Sequence, residues 1–194
     1  MTPRTIYSGA WASSLRFRDF RLFWVSTFFY SVGTGMEHVA VGWLVFDITG
    51  SAFMVGVAAA ARMAPLFFLG ILSGAMADWL ERRLFLLFSA LGGVAVAAIM
   101  AMLLLSGDPP VWAVVVLVAA GGCVFAFTLT TRNAYTYDIV GSEHALNGLS
   151  LNQMAMQVGG IAGALASGAL IELVGPGWQY LGVGGSYLGS ALIL

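Results

Sequence analysis

Long apolar stretches, separated by short polar or turn-forming breaks, dominate the pattern along the chain. A helix that crosses a lipid bilayer needs about 20 mainly apolar residues, and six stretches reach or approach that length. They cover residues 22–46, 52–77, 84–106, 111–131, 145–174 and 178–194. These runs are too long for strands, and lipid admits only helices or closed barrels. The pattern therefore predicts an all-α membrane protein with six transmembrane helices.

Composition supports a lipid environment and excludes most soluble classes of protein. Only 9% of the residues are charged and 60% are hydrophobic, whereas a soluble domain has about 25% charged residues. The net charge of −1 offers no basic surface for nucleic acid. The single cysteine, Cys123, excludes an internal disulfide and a multi-cysteine metal site. We therefore expect the lipid bilayer as a partner, and neither nucleic acid, a metal nor a cofactor.

The distribution of charge predicts how the chain is oriented. The basic residues outside the apolar stretches lie in segments that would share one side of the membrane: Arg4, Arg16, Arg18, Arg21, Arg82, Arg83 and Arg132. The segments on the other side contain acidic residues and no basic ones. Cytoplasmic loops carry the excess of Lys and Arg, so we expect residues 1–21 to be cytoplasmic and residues 22–194 to form the transmembrane domain.

The segment after the second stretch reads G-A-M-A-D-W-L-E-R-R over residues 74–83. It resembles the signature G-x-L-A-D-R-x-G-R-R/K of the major facilitator superfamily, found in the cytoplasmic loop between helices two and three. The matching positions are Gly74, Ala77, Asp78, Arg82 and Arg83, whereas Trp79 and Glu81 depart from the signature. The resemblance implies a cytoplasmic gating motif in which Asp78 and the arginines form a breakable latch. On charge alone, the arginines serve equally well as membrane anchors.

Shorter patterns extend this resemblance over nearly the whole chain. Residues 18–24 (R-D-F-R-L-F-W), 49–51 (T-G-S) and 62–65 (R-M-A-P) look like the branch that contains multidrug and siderophore exporters, the enterobactin exporter among them. The resemblance implies the N-terminal six-helix half of a twelve-helix transporter, built from two inverted three-helix repeats. It also implies a bacterial cytoplasmic (inner) membrane, alternating access, and efflux of a small molecule with the proton as coupling ion.

The sixth apolar stretch has 17 residues up to Leu194 and no polar flank. A membrane helix normally leaves the bilayer through charged or interfacial residues. We therefore expect the chain to be a truncated copy or a fragment of a longer transporter that lacks its C-terminal six-helix half. Without that half we expect it to be inactive.

The fifth stretch contains a glycine pattern similar to the exporter motif G-x-x-x-G-P-x-x-G-G. Gly159, Gly163 and Gly168 match the motif, while Ala164 replaces its proline and Ser167 replaces a glycine. Gly159 and Gly163 also form a plain G-x-x-x-G face, which lets two membrane helices approach closely. Packing is therefore the favoured interpretation over an exporter-type kink.

Ionisable residues inside the apolar stretches are costly and mark functional candidates. Glu37 and Arg62 are equally distant in sequence from the Thr49–Gly50 turn, so two antiparallel helices place them at one depth, near the middle of a core about 30 Å thick. Either Glu37 exchanges a proton or binds a cationic substrate, with Arg62 adjusting its pKa, or the two form a static ion pair. His38, about 100° further around the helix, is expected to be packed or hydrogen-bonded.

Polar residues recur at helical spacing near the start of the fifth stretch. Asn147, Ser150 and Gln157 share one stripe, which is typical of a helix that faces a water-filled cavity or bonds to neighbouring helices. We treat Asn147 and Ser150 as candidates for contact with the proton or the substrate.

Two other functions remain open at this point. A non-transporting scaffold or regulatory half-protein fits the length of the chain. An intramembrane serine protease needs G-x-S-G and a histidine on another helix, but Ser73-Gly74 and Ser167-Gly168 lack the leading glycine. The zinc motif H-E-x-x-H is absent from the sequence as well. We therefore expect a transporter and not an enzyme.

Overall fold

Helices account for nearly all of the chain that the structure describes. The computed structural model describes residues 10–76, 81–107 and 109–194, and side chains within 13–68, 81–107 and 109–194. A short 3-10 segment, Ala10–Arg16, precedes five helices. They are α1 (Arg18–Thr49), α2 (Ala52–Met76), α3 (Arg82–Leu105), α4 (Val111–Val174) and α5 (Pro176–Ile193). The described residues contain no strand, so the prediction of an all-α chain is confirmed.

Gly141 divides α4 into two helical segments, here called α4a (111–140) and α4b (142–174). Its φ of 71° and ψ of 170° lie outside the helical region, and glycine adopts such a positive φ without a Cβ penalty. The chain folds back at this point, so that α4b packs against the end of α4a. A Cβ added at Gly148 would lie 3.0 Å from methyl groups of Thr136 and Val140. The predicted break between the apolar stretches 111–131 and 145–174 is shorter in the structure, since the helical geometry is interrupted only at Gly141.

Several of the other helix boundaries coincide with glycines or prolines of the predicted breaks. Gly50, with φ of 61°, ends α1, and its N–H donates to the carbonyl oxygen of Phe46. Pro110 precedes α4, and Pro176 is the first residue of α5. Proline suits this position because the first helical N–H groups have no partner within the helix.

The outer surface is apolar, and many polar side chains lie inside. Among the described residues, α3 and α4 are long and apolar enough to cross a membrane. Large apolar side chains are exposed on every helix, such as Phe46, Phe67, Phe88, Leu165 and Leu192. Several charged or amide side chains are buried instead: Glu37, Arg62, Arg132, Asn152 and Gln179. This distribution reverses that of a soluble protein and suits a lipid environment.

Two apolar clusters enclose the buried polar groups. The larger one joins α1, α3, α4a and α5 through side chains such as Tyr30, Met100, Val118 and Tyr187. The smaller one contains Phe20, Phe23, Leu86, Val140 and Leu151. Glu37 and Arg62 therefore sit in a packed interior whose low polarity strengthens the electrostatic interaction between them.

Candidate functional site

Glu37 on α1 and Arg62 on α2 form a buried ion pair. Nη1 of Arg62 lies 2.9 Å from Oε1 of Glu37, and Nη2 donates to Oε2 at 3.2 Å. The side chains of Arg62 and Glu37 are only 5% and 8% exposed. The structure thus brings together the two residues that the sequence places at one depth. Only the contact from Nη2 has the geometry of a hydrogen bond, and the contact from Nη1 is electrostatic.

Tyr187 on α5 is a third member of this site. Its hydroxyl group donates to Oε2 of Glu37 at 2.7 Å, and its side chain is buried. The carboxylate therefore links the consecutive helices α1 and α2 to α5, which is distant in sequence. The sequence analysis missed Tyr187, because a single tyrosine in an apolar helix gives no signal about which residue its hydroxyl group contacts.

Two glycines on α4a allow this close packing. A Cβ added at Gly121 would lie 2.8 Å from Oε1 of Glu37, and one added at Gly122 would overlap the backbone carbonyl of Arg62. Any larger residue at Gly122 would separate α2 from α4a. The absence of side chains at these two positions keeps the ion pair against α4a.

Arg132 is a second buried cation, which the sequence analysis wrongly placed in a cytoplasmic loop. It lies on α4a and is 1% exposed. Its guanidinium donates to the hydroxyl groups of Thr27 at 2.7 Å and Ser190 at 3.2 Å. Its central carbon lies 4.5 Å from the ring centre of Tyr30, a distance typical of a cation–π contact. Among the described side chains, none forms an ion pair with Arg132.

A signal for the burial of Arg132 is present in the sequence. Thr128, Arg132 and Thr136 are four residues apart, a spacing that places side chains on one face of a helix. All three are buried. A polar stripe that continues past residue 131 therefore indicates that the fourth helix does not end there.

The glycines of the exporter-like pattern pack α4b against α1. A Cβ added at Gly163 would overlap the carbonyl oxygen of Val32, and one added at Gly159 would lie 2.7 Å from that of Phe28. Gly168 has no such neighbour within 4 Å. Gly159 and Gly163 thus occupy a helix–helix contact of the G-x-x-x-G kind, and Gly168 does not take part in it.

Ser167, which replaces a glycine of that pattern, binds to the backbone of α1. Its hydroxyl group donates to the carbonyl oxygen of Met36 at 3.0 Å. Gln179 on α5 donates to the same oxygen at 3.1 Å. The residue before Glu37 is therefore held from two sides, which fixes the carboxylate along α1.

The structure describes only part of the motif at residues 74–83. Gly74 lies in α2, but its surroundings fall among side chains that are not described, and Asp78 lies outside the described residues. Nη1 of Arg82 contacts Oδ1 of Asp138 on α4a at 2.6 Å. Nε of Arg83 donates to the main-chain oxygen of Leu194, the residue after α5. The partly exposed Arg82–Asp138 pair thus connects α3 to α4a.

Residues 8–194 match a major facilitator family described as transmembrane secretion effector. The chain belongs to this family. It is therefore an integral membrane protein of the major facilitator type. Because the family is one of transporters, the prediction that the chain is not an enzyme is confirmed.

Proteins similar to this member of the family include multidrug efflux pumps. The multidrug efflux pump Tap of Mycolicibacterium fortuitum is 30% identical over 151 residues, which are 74% of this chain and 36% of that protein. The pumps of the same name in Mycobacterium tuberculosis H37Rv and Mycobacterium bovis BCG are 36% identical over 75 residues, or 38% of this chain and 18% of theirs. The chain spans well under half the length of these curated relatives.

The remaining predicted site residues of this family member lie apart from the ion pair. Asn147 accepts hydrogen bonds from the backbone N–H of Ser14 at 3.1 Å and the hydroxyl group of Ser13 at 3.3 Å. Ser150 is exposed and donates to its own helix backbone. His38 is exposed, so the prediction that it is packed is wrong. No three metal-ligating side chains cluster within the described part of the chain.

Proposed function

We propose that this chain is part of a secondary active transporter that exports a small molecule from a bacterial cell. It acts in the cytoplasmic membrane, with its N-terminus on the cytoplasmic side, by alternating access and in exchange for protons. Membership of the secretion effector family and similarity to Tap support export. Without the buried Arg132, six arginines remain in the predicted cytoplasmic segments, and they support the orientation.

The buried pair of Glu37 and Arg62 is the observation that supports proton exchange best. Ionisable groups inside a membrane protein are expensive and are found in proton pathways. Protonation of Glu37 would cancel one charge of the pair and leave the Arg62 guanidinium, which is 5% exposed, without its counter-ion. Such a state is unfavourable in a buried site. Proton binding is therefore coupled to a rearrangement of α1, α2 and α5.

We further propose that the helices form two inverted repeats of three and work against a second six-helix half. The first repeat consists of α1, α2 and α3. The second consists of α4a, α4b and α5. In transporters of this class the substrate site lies between the repeats or halves, near the membrane midplane. Residues 22–194 would then form the N-terminal half, and the motif of Gly74, Asp78, Arg82 and Arg83 would contact the other half. Residues 1–194 alone would not transport.

The substrate is a drug-like or siderophore-like molecule. The name of Tap supports the first class, and the resemblance to siderophore exporters supports the second. The exposed polar side chains of α4b, Ser150, Gln153 and Gln157, form the face that we assign to contact with the substrate.

Efflux measurements on Glu37→Gln test this proposal. The full transporter that contains this chain is reconstituted in vesicles, and export of a lipophilic cationic dye or a siderophore is followed with and without a proton gradient. We expect export in the unaltered protein to require the gradient. Glu37→Gln keeps an acceptor for Tyr187 but cannot ionise, so it loses gradient-driven export. Glu172→Gln, an exposed acid on α4b, is the matched control and retains it.

Two results would contradict parts of the proposal. Full gradient-driven export by a folded Glu37→Gln protein would remove Glu37 from the coupling mechanism and leave it as a static link between helices. If the unaltered full transporter exports neither class of substrate, the chain is better described as a non-transporting scaffold.

A further inference from the structure

A cavity of about 10 Å³ lies beside the carboxylate of Glu37. Helices α1, α3, α4a and α5 surround it. Its lining consists of Tyr30, Glu37, Gly93, Val96, Ala97, Gly121, Val124 and Tyr187. A cavity needs roughly 10–15 Å³ to hold one water molecule, so this space suits one water and nothing larger.

The polar groups in the lining match the needs of a water molecule. A buried water typically makes two to four hydrogen bonds. Three lining residues, Glu37, Tyr30 and Tyr187, carry a polar group, and all the others are apolar or glycine. The two tyrosine rings lie side by side, with their centres 5.3 Å apart.

Oε1 of Glu37, the carboxylate oxygen next to the cavity, can still accept a hydrogen bond. An ionised carboxylate has about four acceptor positions. Oε2 receives hydrogen bonds from Arg62 and Tyr187, while Oε1 is contacted only by Nη1 of Arg62. Oε1 is also the atom that would lie 2.8 Å from a Cβ at Gly121, which lines the cavity. The available position of Oε1 therefore lies on the side of the cavity.

Glycine at two lining positions keeps this space open. A Cβ at Gly93 would lie 2.9 Å from the ring of Tyr187, and one at Gly121 would press on Oε1 of Glu37. Alanine at Gly93 would displace Tyr187, and alanine at Gly121 would displace the carboxylate of Glu37. By contrast, a Cβ at the neighbouring Gly92 would meet only a methyl group of Val124, at an ordinary distance of 3.5 Å.

We propose that this cavity is a binding site for one water molecule that hydrogen-bonds to Oε1 of Glu37 and to the hydroxyl group of Tyr30. Together with the direct bond from Tyr187, this water completes the hydrogen bonding of the carboxylate. It also connects the ion pair to the region of Arg132, whose guanidinium lies over the Tyr30 ring.

This water gives the coupling proton a route to Glu37, a role that rests on the proposed function. A proton that arrives on the water forms a hydronium ion. One O–H bond of the hydronium then breaks, one O–H bond forms at Oε1, and a neutral water remains. The route reaches Oε1 from the side of the cavity that Tyr30 and Gly121 line.

The water site is tested by structure determination at a resolution that shows ordered waters. We expect density within hydrogen-bonding distance of both Oε1 of Glu37 and the Tyr30 hydroxyl group, in the unaltered full transporter and in Gly92→Ala. Gly121→Ala should lack this density. Val124→Ile, which adds one methylene to the lining and does not contact the ion pair directly, should also lack it if Gly121→Ala fails to fold. Absence of density in the unaltered protein, or its persistence in both filled variants, overturns the inference.

The export assay tests the role of the water separately. Loss of the water should lower gradient-driven export by about a hundredfold, at the lower end of the range for a positioned proton-transfer group. Gly92→Ala should export as the unaltered protein does. Loss of density with unchanged export contradicts the role of the water as a route. If the unaltered protein does not export, the proposed function fails, and the density still decides whether the site exists.

Discussion

Breaking the Glu37–Arg62 pair from one side should destabilise the protein strongly. In Arg62→Met the carboxylate of Glu37, whose side chain is 8% exposed, keeps only the bond from Tyr187. Removing one partner of a buried ion pair typically costs about 3–5 kcal/mol. Since about 1.4 kcal/mol corresponds to a factor of ten, the unfolding equilibrium should shift by roughly two to four powers of ten. Glu37→Gln, which leaves Arg62 buried without a counter-ion, should have an effect of the same size.

Neutralising both partners together should restore most of this stability. In the double variant Glu37→Gln/Arg62→Met neither buried charge remains, and the glutamine can still accept the bond from Tyr187. Replacing a buried ion pair by uncharged residues of similar volume is often neutral or stabilising. We expect the double variant to lie within about 1 kcal/mol of the unaltered protein. With single costs of about 3 kcal/mol or more each, this requires a coupling energy of at least about 5 kcal/mol.

Reversible unfolding in mixed micelles, followed by tryptophan fluorescence and circular dichroism, gives the free energy of unfolding of the unaltered protein, the two single variants and the double variant. Glu172→Gln serves as control, because that exposed carboxylate forms no ion pair among the described residues. The reasoning fails if Arg62→Met lowers the free energy of unfolding by less than about 1 kcal/mol. It also fails if the cost of the double variant equals the sum of the single costs.

The same unfolding measurement checks three further predictions. Gly163→Ala should lower stability by about 1–3 kcal/mol, because the added methyl group overpacks against α1. Gly168→Ala, with no neighbour within 4 Å, should be neutral or stabilise the protein by up to about 1 kcal/mol. Equal effects of the two substitutions would contradict the contact between Gly163 and α1. Arg132→Met should change stability by less than about 1 kcal/mol, far less than Arg62→Met, because no buried carboxylate loses its partner. Asp138→Asn should also cost less than about 1 kcal/mol, since its side chain is 47% exposed, and a larger cost would indicate a stronger link to α3.

Features fixed by local sequence could be predicted well. Turns at Gly50 and Gly175 follow from glycine, and the start of α5 follows from Pro176. The common depth of Glu37 and Arg62 follows from two helices joined by a short turn, because the rise per residue is the same in both.

Features that depend on which face each helix presents could not be predicted. In a soluble helix, polar residues mark the outer face, but α4 and α5 are apolar on nearly all sides. The bond from Tyr187, the burial of Arg132 and the exposure of His38 all depend on helix orientation. The early end predicted for the fourth helix, at residue 131, has a related cause. The polar residues that follow were taken as surface, whereas Arg132 and Thr136 face the interior.

Helix α1 is fastened to its neighbours by contacts that differ in kind. Glu37 joins it to α2 and α5 by charge and hydrogen bonds, Thr27 joins it to α4a through Arg132, and Val32 lies against Gly163 of α4b. Sliding α1 relative to these helices would break buried polar bonds and separate backbones that touch. A buried polar bond left unmade costs about 1–3 kcal/mol, so several such losses would add up. In the proposed cycle these contacts therefore hold α1 and its neighbours together as one body while Glu37 is ionised, and the rearrangement of α1, α2 and α5 begins only when Glu37 binds a proton and loses its charge pairing with Arg62.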